Sequence, residues 1–265
     1  MHTGQLLGSG RTADVYALDG SWVLRRYRDS TDATPELAVM SYLCAFGFPV
    51  PRIGPPAKGA RATDLVLQRL TGPTMAEALS AGTLRAAEGG ALLAGLLREL
   101  HAVPARLSPD PEEHILHLDL HPENVILTER GPVVIDWSNT TEGPPGLDRA
   151  MSALILAQAS LAPASPASPR SPASPASPRS PASPASPASP PSPASPGGAG
   201  TGAETPAAAV RALLTALLGE MAADGGVSVA DLALARTRRA ADPRLTEHET
   251  AALDEAVALV RSHVP

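Results

Sequence analysis

The chain predicts a two-lobed α+β fold, strands first and helices after, and not a doubly wound sheet. Three observations carry this. The first seventy residues hold short apolar runs separated by Gly and Asp, with one helical segment among them. The next part repeats apolar residues at three and four, the spacing of a helix face. A proline-rich stretch then separates that part from a final group of helical patterns.

Taken in order, Leu6–Leu7, Val15–Leu18, Trp22–Arg26 and Leu65–Leu70 read as strands. Between them, Thr34 to Leu43 reads as a helix, with Leu37, Met40 and Leu43 on one face. Pro49 and Pro51 close that segment. Leu92, Leu93, Leu96, Leu97 and Leu100 share a helical face, which Pro104 and Pro109 end. After a polar loop, Val125–Thr128, the turn Gly131–Pro132 and Val133–Trp137 read as two strands. From Pro163 to Pro196 the chain is almost wholly Ala, Ser and Pro, a composition expected to be disordered or polyproline-II-like. Beyond it, Val210, Leu213, Leu214, Leu217, Leu218 and Met221 form one helical face. Ser228 with Asp231, and Thr246 with Glu249, have capping spacing for two further helices. The expected divisions are 1–70, a small N-terminal lobe; 71–158, the first part of a larger lobe; 159–204, a linker; and 205–265, helices completing the larger lobe.

A length of 265 residues is ample for one bilobal core. Aromatic residues make up only 3%, so Leu, Val and Ala must build most of it. The net charge of −6, with no basic run, argues against a nucleic-acid partner and is compatible with a cationic small molecule. Cys44 is the sole cysteine, which excludes an internal disulfide and a cysteine metal cluster. Met1–Gly10 lacks the pattern of a secretory signal, and Met151–Ala162 is too short and broken to span a bilayer. The expectation is a soluble cytoplasmic protein without membrane contact. A protein partner for the Pro-rich segment has no other support.

The chemistry lies in His117-Leu118-Asp119-Leu120-His121-Pro122-Glu123-Asn124, followed by the acid of Val134-Ile135-Asp136-Trp137. Asp119 and Asn124 stand five apart in a polar loop, and Asp136 ends a strand. Phosphoryl transfer needs such a set: one carboxylate to orient the attacking hydroxyl, and an oxygen ligand with a second carboxylate to hold Mg²⁺ against phosphates. A capped loop whose Asp and Asn only bond the backbone is the alternative. Near the N-terminus, Gly8 and Gly10 lie between two strands, where glycine lets backbone N–H groups approach phosphate oxygens, and Val15 could lie over a base. Arg25, chosen over Arg26, is the expected phosphate-contacting cation, with Glu36 as its partner; a surface ion pair is the alternative. Backbone groups near Gln68 and Leu70 would meet an adenine edge if this strand leads into a hinge, and an ordinary core strand is the alternative.

These elements in this order resemble the aminoglycoside phosphotransferase and choline kinase family, a branch of the protein-kinase-like fold. The resemblance covers most of Leu6 to Gln158 and includes Gly47-Phe48-Pro49-Val50-Pro51 and Leu100-His101-Ala102-Val103-Pro104. It implies a bilobal fold binding ATP or GTP with Mg²⁺ in the cleft, and a small hydroxylated acceptor. Asp119 would be the catalytic base or the residue that orients the hydroxyl, Asn124 and Asp136 the metal ligands, and Asp148 the acid that braces the catalytic loop. His117 and His121 are expected to be structural, the first packing the loop against the Asp136 strand and the second bonding loop backbone; Trp137 is expected to be core. Arg25 stands where better-known relatives have lysine, and Leu118 where Gly is more usual. A nucleotide-binding scaffold without turnover remains a second reading, and an interaction protein acting through the Pro-rich segment a third. Glu220, Asp224, Asp254 and Glu255 could hold a cationic acceptor, but solvated helix faces are the expectation.

Overall fold

The computed structural model describes residues 4–56, 59–162 and 205–263. The Ala-Ser-Pro stretch, and with it the expectation of disorder, lies outside them.

The N-terminal lobe is a four-stranded antiparallel sheet of β1 (Leu6–Ser9), β2 (Ala13–Ala17), β3 (Trp22–Tyr27) and β4 (Asp64–Gln68), in that order. Helix α1 (Thr34–Ala45) packs beside it, with Pro35 in its first turn and Glu36, Met40 and Leu43 buried. Strand alternation sorts β3 into two faces. Arg26 goes to one face and forms a fork with Asp64, at 2.6 and 2.8 Å. Arg25 and Tyr27 go to the other, toward α1.

Thr74 opens α2 (Met75–Ser80) with a reciprocal capping box to Glu77, a signal of the same kind as those at Ser228 and Thr246. The larger lobe is built on α3 (Ala86–Leu100) and α4 (Pro145–Leu161). Helix α4 is buried on nearly every side, and residues 151–158, most of the apolar stretch, lie in the centre of a core. It extends to Leu161, so the lobe runs three residues past the expected boundary at 158. Around these helices pack α5 (Pro206–Met221), α6 (Val229–Ala240), α7 (Glu247–Ala251) and α8 (Leu253–Arg261). Ser228 and Thr246 cap α6 and α7 as their spacing predicts. Residues Pro206–Asp224 are long and apolar enough by composition to cross a membrane. Here, though, α5 lays Leu213, Leu214, Leu217 and Leu218 against α3 and α4.

Two short two-stranded antiparallel sheets carry the loop between the lobes. β6 (Val125–Thr128) pairs with β7 (Gly131–Val134) across the Gly131 turn. β7 ends sooner than its sequence predicts, because Asp136, two residues on, adopts φ +63 and cannot continue an extended ladder. β5 (His114–Leu116) pairs with β8 (Thr141–Gly143), a pairing the sequence did not reveal. The result is a small antiparallel β lobe and a larger helical lobe, the kinase-like arrangement expected.

Candidate active site

A cavity of about 2250 Å³ opens between the lobes. Gly8, Gly10, Val15, Arg25, Glu36, Gln68, Leu70, Asp119, Asn124 and Asp136 all line it. Residues 128 positions apart in the chain thus meet in one cleft, as the two motif groups require.

The loop after β5 is held from beneath by Asp148, wholly buried in the first turn of α4. Its two oxygens accept the N–H of His117 at 3.0 Å and of Leu118 at 2.7 Å, and His101 Nε2 lies 3.1 Å away. Burial works to raise its pKa, but the His101 contact and these amides hold the carboxyl below its usual range. His117 donates from Nε2 to the Ile135 carbonyl at 3.0 Å and accepts the Asp119 N–H at Nδ1 at 3.2 Å. Burial lowers its pKa, so the ring is neutral, and it packs edge-on to Trp137 at 4.6 Å. It therefore joins the loop to the segment carrying Asp136, as expected. Leu118 has φ +62, the left-handed region that favours glycine. Its side chain is buried in the core.

Asp119 faces the cleft. Burial raises its pKa, and nearby cations, Arg239 among them, do not cancel the effect. Asn124 donates from Nδ2 to the Asp119 carbonyl at 2.8 Å, which turns its Oδ1 away from that bond and leaves it available to a cation. His121 differs from its expected role: its ring meets side chains, with Nε2 3.2 Å from Asn124 Nδ2 and 3.8 Å from Asp119 Oδ1.

Asp136 accepts Arg25 Nη2 at 2.6 Å and Ser138 Oγ at 2.8 Å. Burial works to raise its pKa; Arg25, foremost, and Ser138 more than offset this and keep it low. Arg25 also donates from Nη1 to both oxygens of Glu36. Both residues are buried, so this is no surface ion pair. Glu36 further accepts the Tyr27 hydroxyl at 2.6 Å and the Trp137 N–H at 3.1 Å. Burial drives its pKa upward, with Arg25 the main opposing influence. The Tyr27 ring lies 4.9 Å from the guanidinium carbon. Tyr27 went unnoticed in the sequence, although its place two residues after Arg25 on one strand puts both on the same face.

Gly8 and Gly10 show no positive φ. A Cβ on Gly8 would meet nothing within 4 Å, and one on Gly10 only ordinary contact. No internal contact demands glycine at either place; the space they leave is open to the cleft. The turn is clamped from outside by Arg28, unforeseen from sequence, which donates to the Gly10 carbonyl at 2.6 Å and to Asp14 at 2.8 Å. At the hinge, the Gln68 N–H is already bonded to the Arg52 carbonyl at 2.8 Å, so it is not available to a ligand. The Leu70 amide has no backbone or side-chain partner among the described residues.

Among the described residues no three His, Cys, Asp or Glu converge on a point. Asn124 and Asp136 supply two hard oxygen donors, which fits Mg²⁺ bound partly by phosphate oxygens and not a caged metal. Glu220, Asp254 and Glu255 are exposed, and Asp224 pairs with Arg98; none of the four lines the cavity. Arg239, Asp242, Arg244, His248 and Glu249 also line the cavity, and none of them was marked by the sequence as a site.

Residues 3–114 and 71–171, together 3–171, match the family described as APH, phosphotransferase enzyme family. No curated protein matches the chain significantly. Similar solved structures include the gentamicin complex of APH(2")-IIa, 14% identical, which covers 57% of this chain and 69% of its own with a TM-score of 0.45. The streptomycin–ATP complex of the same protein is 15% identical, covering 56% and 69%, with a TM-score of 0.43. A ternary complex of aminoglycoside phosphotransferase APH(4)-Ia with AMP-PNP and hygromycin B is 14% identical, covering 58% and 71%, with a TM-score of 0.43.

Proposed function

The chain belongs to the APH phosphotransferase enzyme family, and from that premise we propose that it is a small-molecule kinase moving the γ-phosphoryl group of ATP or GTP to a hydroxyl of a small acceptor. One observation carries the reading: the Arg25–Glu36 pair, Asp136, Asn124 and Asp119 converge on a single cleft from both lobes.

The base would lie near Val15 and the Leu70 backbone. Arg25, fixed by Glu36 and Tyr27, would turn the N–H groups that these bonds leave, Nε and the second N–H of Nη2, to the phosphates. Arginine presents a planar fork where lysine presents a point charge, so it positions two oxygens together. Asn124 and Asp136 would hold Mg²⁺, which when bound neutralises charge on the phosphates. Asp119 would accept the hydroxyl proton as the acceptor oxygen bonds to the γ-phosphorus. The bond from that phosphorus to its bridging oxygen breaks, and the nucleoside diphosphate leaves with the electron pair. Its raised pKa makes Asp119 a better base than an exposed carboxylate.

Calorimetric titration with ATP, with and without Mg²⁺, tests the cleft. The reading expects Mg²⁺-dependent binding that Asp136→Ala abolishes. Asp119→Asn should bind nucleotide normally and lose phosphoryl transfer by about 10²-fold or more. Normal turnover in that variant would remove Asp119 from its role. Nucleotide binding without transfer to any acceptor would favour the scaffold reading.

A further inference from the structure

Part of the cavity wall carries Arg239 and Arg244 beside Asp242 and Glu249, with Arg11 of the glycine-bearing turn bonded to Glu249. Arg239, in the last turn of α6, is anchored by Nε to Gln158 Oε1 at 3.0 Å. Its side chain is 12% exposed, yet Nη1 and Nη2 make no hydrogen bond among the described residues. The nearest acceptors, Asp242 Oδ2 at 3.9 Å and Glu249 Oε1 at 3.6 Å, are too distant for one. Both carboxylates are occupied elsewhere. Asp242 takes Arg244 Nε at 2.9 Å; Glu249 takes Arg11 at 3.1 Å and caps α7 through Thr246. Arg244 spends Nη2 on Asn139 Oδ1 at 2.9 Å, and its Nη1 has no partner among the described residues. His248 also lines the cavity.

The Nη groups of Arg239 are not among the sealed, unpartnered polar atoms of the described residues, so the fork stays open to the cavity, where an acceptor that enters can fill it. The partner that matches the fork is a carboxylate or phosphate, bound through two parallel N–H bonds. A polycation would meet the guanidinium groups of Arg11, Arg239 and Arg244 here, and the two carboxylates beside them, Asp242 and Glu249, are already engaged; Asp119, Glu123 and Asp136 are the other larger-lobe carboxylates lining the cavity.

We infer that the acceptor is an anionic hydroxy compound, whose carboxylate or phosphate ester is received by the Arg239 fork with Arg244 beside it, while its hydroxyl is presented to Asp119. This rests on the kinase reading above. It reverses the match to a cationic molecule that the net charge of −6 allowed, since the local charge of the cavity wall, not the total, meets the ligand.

The test uses protein saturated with ADP and Mg²⁺, titrated calorimetrically with D-glycerate, glycerol 3-phosphate, glycerol and kanamycin. One or both anions should bind, the two arms separating carboxylate from phosphate. Glycerol should bind at least about tenfold more weakly, and kanamycin not at all. Arg239→Gln should weaken the anion by about tenfold, a difference equal to one lost charge-assisted contact. Arg239→Lys, which keeps the charge without the fork, should fall between. Unchanged ADP affinity certifies the fold of each variant, and Arg244→Gln serves if Arg239→Gln does not fold. The inference is overturned if glycerol or kanamycin binds as well as the anions, if neither anion binds to protein that binds ADP, or if the variants bind anions like the parent. Absence of ADP binding by the parent protein would instead bring down the kinase reading, and this inference with it.

Discussion

At the scale of single residues, the site depends on two backbone positions that disfavour side chains. Leu118 and Asp136 both sit at positive φ, each costing about 1 kcal/mol in an L-residue. Leu118→Gly would relieve that strain but remove a buried leucine, worth about 1.5–3 kcal/mol from burial alone. Burial wins, so the variant should be less stable by about 1–2 kcal/mol in urea denaturation; a more stable variant would refute the claim that Leu118 is kept for packing. Asp119 supplies a second prediction. Because burial lifts its pKa, and the reaction needs its ionised form, kcat/KM should fall as pH drops through a value above that of an exposed Asp. An acid limb at or below the ordinary value would mean that Asp119 is solvated or uninvolved. The grouping of Asp119, Asn124 and Asp136 in one cleft was legible in the sequence. The spacing of Asp119, Asn124 and Asp136 depends on a local loop and strand, and local spacing is what a sequence displays. The engagement of the Gln68 amide was not legible, since its partner Arg52 lies on a separate irregular segment.

At the scale of elements, α3 shows how packing divides residues of one type. Gly90 lies where α3 meets α5: a Cβ there would stand 2.7 Å from the Leu217 backbone nitrogen. Gly95, five residues on, has nothing within 4 Å of its own. Alanine in place of helical glycine gains about 0.5–1 kcal/mol from backbone entropy. Gly95→Ala should therefore raise stability by that amount. Gly90→Ala should lower it, because forcing two helices apart costs about 1–3 kcal/mol. Chemical denaturation of both variants decides this, and equal shifts would show that the α3–α5 approach is not tight. The sequence marks both residues only as poor helix formers. It likewise shows the Leu face of α3 but not its partner, since the facing α5 is more than a hundred residues away in the chain. The β5–β8 pair escaped notice for the same reason: three-residue strands carry too little periodicity, and their pairing is set by the loop that they clamp.

At the scale of the whole molecule, two of the contacts that join the lobes differ in kind. One is exposed: Arg11, in the glycine-bearing turn, reaches Glu249 at 3.1 Å with its side chain 60% open to solvent. Such a pair contributes at most about 1 kcal/mol, less in salt, and can yield whenever the cleft opens. The other is buried. Glu36 on α1 holds Arg25 and Tyr27 of its own lobe and the Trp137 amide of the other, while Arg25 reaches across to Asp136. The same residues that orient the phosphate-binding cation therefore also fasten the lobes. Glu36→Gln tests this double duty. A neutral amide cannot balance the buried guanidinium, and breaking such a pair costs about 3–5 kcal/mol. Arg25 keeps Asp136 as a partner, so the expected loss is nearer the low end, about 3 kcal/mol. Nucleotide affinity should fall at the same time, because Arg25 would be drawn fully onto Asp136, taking both groups from phosphate and metal. If the pair were only a brace, stability would fall and the affinity of the remaining folded protein for ATP with Mg²⁺ would be unchanged. Calorimetry at a temperature where the variant is folded separates the two, and coupled loss of stability and affinity is the outcome that this network requires.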